Sequence, residues 1–291
     1  MAGAYPESVR RRVADLADAG RTLVMGIVNV TPDSFSDGGR WPDPPSAIAH
    51  ARLLRDQGAD ILDVGGESTR PGAEPVPPAA ELDRVLPVVR ALAADGAAVS
   101  VDTVHAETAA ACLAAGAVYV NDVSGGLADP ELPGVAAAAG AGYVLGHWRG
   151  SPATMNDLAV YDDVITEVRA ELAERVDAAL AAGVDPELLV IDPGLGFAKD
   201  ARHNWELLAG LGALRAMGYP VLIGASRKRF LGSLLATDDH PVDPPARDRA
   251  TAAVTALVAA GGAWGVRVHD VAGSADAVRV AAALVEAGRG R

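Results

Sequence analysis

Residues 45–65 read PSAIAHARLLRDQGADILDVG and contain a helical pattern, a glycine and a short apolar run, in that order. The helical pattern spans residues 45–57, and the apolar run 60–64 has the length and bulk of a strand buried on both faces. Gly58 lies between them, where a left-handed residue commonly ends a helix. The stretch therefore predicts the return from helix to strand within a βαβ unit.

The same alternation of helical pattern and apolar run continues along the whole chain. Further helical patterns span residues 79–94, 106–115 and 161–182. Eight units of about 30 residues favour a closed α/β fold, the (β/α)8 TIM barrel, and an open doubly wound parallel sheet is the alternative. The predicted strands are residues 23–28, 60–64, 98–101, 117–121, 142–146, 188–191, 220–224 and 265–269.

The chain has 291 residues, of which half are hydrophobic and only 4% aromatic, so Ala, Val and Leu dominate its apolar content. This composition suits one barrel domain, which we expect over residues 22–291. Residues 1–21 form a polar, amphipathic N-terminal extension, which we interpret as a helix that closes the barrel floor. The acidic, proline-rich residues 236–245 predict a surface loop in the seventh unit.

The formal net charge of −13 argues against nucleic-acid binding and requires any phosphate site to be built locally. No apolar run approaches about 18 residues, so we expect no membrane span. The N-terminus lacks the pattern of a secretory signal, and we expect a cytoplasmic protein. Cys112 is the only cysteine, and we interpret it as a buried helix residue.

Polar side chains follow several predicted strands at the point where each strand ends. Asp102, Asn121 and Asp192 follow the third, fourth and sixth strands. Because the carboxyl ends of barrel strands converge, these side chains are expected to share one cavity that could bind a flat, nitrogen-rich ring. Each residue taken singly is better explained as a helix N-cap, and the convergence of three favours a site.

Basic residues also occur at these strand ends. Lys199 and Lys228 are the only lysines among 25 basic residues, and both lie in predicted loops at the carboxyl face. A compact ammonium is expected to have a role at Lys228, whereas the sequence leaves the role of Lys199 open. Arg70, Arg267 and His269 form a local positive group. Together with Asn29 and a divalent cation, that group could bind a pyrophosphate.

Two long motifs then identify a family resemblance. Residues 25–39 (MGIVNVTPDSFSDGG) and 63–72 (DVGGESTRPG) resemble two signatures of the dihydropteroate synthases. Shorter motifs continue in the order found in that family, and the resemblance covers about residues 22–287. The shorter motifs are residues 100–103 (SVDT), 121–125 (NDVSG), 192–197 (DPGLGF), 224–230 (GASRKRF) and 267–270 (RVHD).

The resemblance implies a transferase of folate biosynthesis that joins 4-aminobenzoate (p-aminobenzoate) to the methylene of a dihydropterin diphosphate and expels pyrophosphate. It also implies Mg²⁺ as cofactor, a homodimer, and inhibition by sulfonamides. The residues that it implies are Asp102, Asn121, Asp192 and Lys228 for the pterin, Asn29, Thr69, Arg70, Arg267 and His269 for pyrophosphate, Phe35, Pro71, Phe197 and Ser226 for 4-aminobenzoate, Asn29 for the metal, and Asp37, Lys228, Arg267 and His269 for catalysis.

One position departs from the family pattern, because Gly146 precedes His147 where the family often has Met-His. Two alternative functions stay open on the same scaffold. A pterin-binding methyltransferase would share the Asp-Asn-Asp group but would need no pyrophosphate site, and the STRPG and SRK motifs argue against it. A non-catalytic paralogue is disfavoured because Arg70, Lys228 and Arg267 are all present.

Overall fold

The computed structural model describes residues 7–17, 19–31, 44–68, 76–151, 154–237 and 242–289. Their strands form one parallel sheet in which spatial order follows chain order and β8 (Gly265–Val268) pairs with β1 (Leu23–Asn29). A bridge between Ile191 and Val221 joins the two ends of the sheet. The other strands are β2 (Ile61–Gly65), β3 (Val99–Asp102), β4 (Tyr119–Asp122), β5 (Gly142–Gly146), β6 (Leu189–Asp192) and β7 (Leu222–Ile223).

This closed ring confirms the predicted TIM barrel and excludes the open sheet, whose strand order would reverse at a switch point. Several strands end one residue later than predicted, so that Asn29, Asp102 and Asp192 are the last residues of β1, β3 and β6. The predicted strand 220–224 shortens to the two residues of β7. These three site candidates therefore lie on the strands themselves rather than in the loops that follow.

One α-helix follows each strand except β6, which is followed by α7 and α8, and β7, which is followed by α9 and α10, and α1 precedes the first strand. The predicted helix 161–182 begins later, at Val164, because the Asp163 carboxylate accepts hydrogen bonds from the Ile165 and Thr166 backbone and caps it. The helices are α1 (Glu7–Ala17), α2 (Pro44–Asp56), α3 (Pro78–Ala94), α4 (Ala106–Ala114), α5 (Leu132–Ala139), α6 (Val164–Ala181), α7 (Ala201–Ala209), α8 (Leu211–Arg215), α9 (Arg229–Leu235), α10 (Asp248–Ala260) and α11 (Val271–Arg289).

Cys112 is buried within α4, in agreement with its interpretation from sequence. Among the helices that the structure describes, none combines the length and the apolarity that crossing a bilayer requires.

Alternate strand residues fill two separate apolar layers. On β1, Val24 and Val28 pack against the surrounding helices, whereas Leu23 and Met25 belong to a cluster built from strand residues around the ring. Val13 of α1 is buried in that inner cluster. Helix α1 therefore covers the barrel interior, while the division of the chain at residue 22 stays a prediction.

The inner layer depends on one glycine. The Tyr119 ring lies over Gly142, and a Cβ atom added at Gly142 would come 2.2 Å from Tyr119 Cε1. Tyr119 is fully buried and its ring centroid lies 5.9 Å from that of Trp264. Gly142 thus provides the space that the largest side chain of the inner layer occupies.

We expect Gly142→Ala to lower the free energy of unfolding by about 2 kcal/mol, because the buried Tyr119 ring must be displaced. Gly134→Ala is the matched control, since Gly134 lies within α5 and a Cβ atom there meets nothing within 4 Å. Urea unfolding of both variants measures the difference. Equal stability of the two variants would contradict this account of the inner layer.

Candidate active site

A buried ionic cluster lies where the carboxyl ends of four strands meet. From β8, Arg267 Nε donates to Asp63 Oδ2 on β2 over 2.6 Å, and Arg267 Nη2 donates to Asp102 Oδ2 on β3 over 2.5 Å. Asn121 on β4 donates its amide to the same Asp63 oxygen over 2.9 Å. One guanidinium therefore links carboxylates from strands two and three positions away in the ring, and the predicted partners Asp102 and Asn121 lie together.

Asp63 was not among the residues predicted for the site. It is fully buried, and its Oδ1 atom has no hydrogen-bond partner within the described part of the chain. The sequence does contain a signal for it, because a single aspartate inside the apolar run ILDVG requires a buried partner. That partner is Arg267, which the sequence had grouped with the pyrophosphate residues and which lies among those predicted for the pterin.

A second pair of charges lies close to this cluster, because Arg267 acts electrostatically on both of its members. Asp192, at the end of β6, accepts a hydrogen bond from Gly194 N over 2.7 Å. A Cβ atom built at Gly224 would lie 3.7 Å from Asp192 Oδ2 and 3.8 Å from Lys228 Nζ, so both groups border the space above Gly224. Lys228 Nζ donates to the Leu195 carbonyl and lies 4.8 Å from the centroid of the Phe197 ring. The predicted residues Asp192, Lys228 and Phe197 thus share one wall.

Burial and mutual attraction compete at these groups. Burial raises the pKa of Asp102 to about 7, although Arg267 acts in the opposite direction. Burial lowers the pKa of Lys228 to about 8, although Asp192 and Asp102 favour its charged form. Burial also raises the pKa of Asp192, against the attraction of Lys228. Asp102 and Lys228 therefore change charge near neutral pH, as groups at functional sites commonly do.

Ser226 and His269 form the third part of the site. The Ser226 hydroxyl accepts a hydrogen bond from the His269 backbone N–H over 3.1 Å and lies 2.9 Å from His269 Nδ1. Donation of the hydroxyl proton to Nδ1 favours the imidazole tautomer that carries its proton on Nε2. The sequence had assigned these two residues to different substrates, and the structure brings them into direct contact.

The turn that carries Ser226 and Lys228 is held from the start of α10. Arg227, between them, has a φ of 58°, which is uncommon for a residue with a side chain. Its guanidinium makes two hydrogen bonds of 2.7 Å to the Asp248 carboxylate, and Arg247 donates to its carbonyl over 2.8 Å. Asp248 and Arg247 therefore fix the turn without lining the cavity, and no sequence motif indicated them.

Asn29, half-buried at the end of β1, pairs in register with Gly65 of β2. A Cβ atom at Gly65 would lie 3.4 Å from Asp102 Cβ, so Asn29 belongs to the same end of the barrel. The described residues contain no group of three His, Cys, Asp or Glu side chains arranged for a metal ion. Five predicted site residues lie outside the described residues, namely Phe35, Asp37, Thr69, Arg70 and Pro71.

The departure at Gly146 has a steric explanation. A Cβ atom at Gly146 would lie 2.6 Å from the Val123 carbonyl oxygen and 2.7 Å from Val123 Cα. With this backbone, no larger side chain fits at that position. The main chain of Val123 therefore occupies the space beside Gly146 that a side chain would otherwise fill.

Comparison with known proteins agrees with this geometry. The family model described as "Pterin binding enzyme" matches residues 25–269. The dihydropteroate synthase of Mycobacterium leprae is 56% identical over 267 residues, which are 91% of this chain and 94% of that protein.

Two solved structures are also similar along most of their length. The dihydropteroate synthase of Xanthomonas albilineans in complex with 7,8-dihydropteroate has a TM-score of 0.80 and 43% identity, with 92% of this chain and 94% of that chain covered. The Yersinia pestis enzyme in a sulfonamide drug complex has a TM-score of 0.84 and 40% identity, with coverages of 94% and 96%. The chain therefore belongs to the dihydropteroate synthase family of pterin-binding enzymes.

Proposed function

We propose that the chain condenses 6-hydroxymethyl-7,8-dihydropterin diphosphate with 4-aminobenzoate, giving 7,8-dihydropteroate and pyrophosphate. The observation that carries this proposal is the buried cluster of Arg267, Asp63, Asp102 and Asn121, which faces Asp192 and Lys228. Its support from relatives is the 7,8-dihydropteroate complex of the Xanthomonas enzyme.

In this proposal the pterin ring occupies the cavity between the two charge groups. Asp102 and Asp192 accept hydrogen bonds from ring and exocyclic N–H groups, and Asn121 can both donate and accept. Lys228 donates to ring acceptor atoms. Arg267 compensates the buried Asp63 and Asp102 carboxylates, which keeps an ionised acceptor available without leaving an unpaired buried charge.

The diphosphate requires positive charge at the open side of the cavity. Arg267, His269 and Arg70 supply it in this proposal, with Thr69 as a further hydrogen-bond donor. Mg²⁺ typically uses one or two protein oxygens together with phosphate oxygens and water, and the single Asn29 amide at the end of β1 fits such a site. When bound, Mg²⁺ would stabilise the charge of the departing pyrophosphate.

The condensation is a substitution at the pterin methylene. The C–O bond to the diphosphate breaks, the ring delocalises the positive charge, and the arylamine nitrogen forms the new C–N bond and then loses a proton. An arylamine is neutral at pH 7, so no strong general base is needed. Ser226 and Phe197, with Phe35 and Pro71, receive 4-aminobenzoate in this proposal, and Asp37 takes part in catalysis.

The family resemblance also supports a cytoplasmic homodimer in which sulfonamides compete with 4-aminobenzoate. For the dimer, support comes from the exposed apolar side chains Leu257 on α10 and Val280 and Leu284 on α11, since these two helices pack together. For sulfonamide binding, support comes from the drug complex of the Yersinia pestis enzyme.

The direct test is pyrophosphate release measured with each substrate alone and with both, with Mg²⁺ omitted and then restored. We expect rapid release only when the pterin diphosphate, 4-aminobenzoate and Mg²⁺ are all present, with dihydropteroate formed in equal amount. Lys228→Met is expected to lower kcat/KM at least about 100-fold, because a buried charged donor to the pterin is lost.

Arg229→Met is the matched control, since Arg229 is an exposed cation next to Lys228 in the sequence. Pyrophosphate release that does not depend on 4-aminobenzoate would refute the proposed reaction. Binding of the pterin without turnover under any of these conditions would instead favour the non-catalytic paralogue.

Pterin binding should depend on pH through Asp102. Its pKa of about 7 means that the carboxylate acceptor is present above this pH and is lost as the pH falls through it. We expect affinity for a 6-hydroxymethylpterin ligand to be highest between the pKa of Asp102, about 7, and that of Lys228, about 8, and to fall by up to about tenfold per pH unit below pH 7. Titration calorimetry from pH 5.5 to 8.5 measures this, with Asp102→Asn as the variant that lacks the dependence. A flat wild-type profile would count against the ionised acceptor.

A further inference from the structure

Lys199 has no part in the proposed reaction, although it is one of only two lysines in the chain. It lies between β6 and α7 and is buried. Its ammonium donates a hydrogen bond of 3.0 Å to the Phe197 carbonyl and lies 2.9 Å from His147 Nδ1. Burial lowers the pKa of Lys199 to about 7, although Asp192 favours its charged form, so the enclosed amine is only partly protonated at neutral pH. Its hydrogen-bond partners are a backbone carbonyl and an imidazole nitrogen rather than a carboxylate.

A chain of hydrogen bonds orients this lysine from α6. His147 Nε2 lies 2.9 Å from the Glu171 carboxylate, and Arg149 Nε holds both oxygens of that carboxylate at 3.1 and 3.0 Å. Burial lowers the pKa of His147 to about 4, so the ring is neutral at neutral pH. It then carries one proton, which is donated from Nε2 to Glu171, and the lone pair of Nδ1 accepts from Lys199.

The segment that Lys199 holds is the wall of the site that carries Phe197. Gly194, Gly196 and Ala198 have φ values of 65°, 78° and 48°, so every second residue of this segment is left-handed. The Leu195 carbonyl accepts from Lys228 Nζ, and the Phe197 carbonyl accepts from Lys199 Nζ. The two lysines of the chain thus hold carbonyl groups two residues apart in a single short loop.

Ala198 makes this support necessary. A residue with a side chain is disfavoured at a φ of 48° and persists there only where surrounding contacts fix it. Asn204 supplies one contact, since its side-chain oxygen accepts from Gly196 N over 2.6 Å. Lys199 supplies the contact to the carbonyl of Phe197, next to Ala198. Without the Lys199 side-chain nitrogen, the peptide that carries the Phe197 carbonyl loses this hydrogen bond.

We infer that Lys199 is a positioning residue for the second substrate, because its ammonium, oriented by His147 and Glu171, holds the Phe197 carbonyl and thereby places the Phe197 ring beside Lys228. This inference rests on the proposed function, in which Phe197 receives 4-aminobenzoate. Lys199 itself touches neither substrate in this arrangement. Its removal should therefore affect 4-aminobenzoate binding more than pterin binding or the chemical step.

Lys199→Met keeps the length of the side chain and removes its hydrogen-bond donors. We expect KM for 4-aminobenzoate to rise about tenfold, and KM for the pterin diphosphate and kcat to change less than about threefold. Arg202→Met, which removes an exposed cation three residues later, is expected to leave all three constants unchanged. Steady-state kinetics with each substrate varied in turn measures these changes.

A double-mutant cycle with Phe197→Ala separates positioning from general stabilisation. If Lys199 acts through the Phe197 ring, Lys199→Met should change KM for 4-aminobenzoate less than about twofold in the Phe197→Ala background. A merely structural role would give the same factor in both backgrounds and would overturn the inference. An unchanged KM in Lys199→Met alone would overturn it as well.

His147→Leu provides a second variant should Lys199→Met fail to fold. It keeps Lys199 and removes the acceptor that orients it, so a smaller rise in KM for 4-aminobenzoate, about threefold, is expected and should again vanish with Phe197→Ala. No rise in this variant contradicts the inference. The wild-type chain separates the two proposals. If it releases no pyrophosphate in response to 4-aminobenzoate, the proposed function fails. If it is active but the Lys199→Met and His147→Leu variants show no rise in KM for 4-aminobenzoate, only the role of Lys199 is refuted.

Discussion

The site depends on one guanidinium that compensates two buried carboxylates inside the barrel. Arg267 on β8 contacts Asp63 on β2 and Asp102 on β3, and because these two carboxylates are 0% and 8% exposed, water solvates them poorly. Loss of one partner from such a cluster is strongly destabilising, because the remaining charge stays buried. The pterin-binding cavity and the local stability of the barrel therefore rest on the same contacts.

The barrel satisfies this constraint through parallel strand ends and through supports behind them. Asp63, Asp102 and Asn121 are strand residues whose main chains pair with strands on both sides, and Arg267 pairs with β1 on one side. Lys228 and the Phe197 segment lie in loops and need outer contacts, which α10 provides through Asp248, and α6 through the Glu171 and His147 chain to Lys199. The strands thus hold the pterin part of the site, and loops stabilised by contacts from α10 and α6 hold the proposed 4-aminobenzoate part.

The sequence predicted the closed barrel because the helix and strand periodicities alternate eight times, and it brought Asp102, Asn121 and Asp192 to one end by strand convergence alone. It missed Asp63, which was read as part of an apolar strand although a lone buried acid needs a partner. It could not pair Arg267 with Asp63, since the two are 204 residues apart and pairing depends on barrel closure. The local sequence pattern likewise could not predict the contacts that Lys199 and Arg227 make with distant helices. The roles of Asp37, Thr69 and Arg70 stay predictions.

The most direct test of the central cluster is a double-mutant cycle on the free energy of unfolding with Arg267→Met and Asp63→Asn. We predict that Arg267→Met alone lowers stability by about 3 kcal/mol, because two carboxylates are left buried without their cation. Adding Asp63→Asn should then recover part of that loss, giving a coupling energy of about 1 to 3 kcal/mol. Strictly additive effects of the two substitutions would contradict the view that this guanidinium and its carboxylates act as one unit.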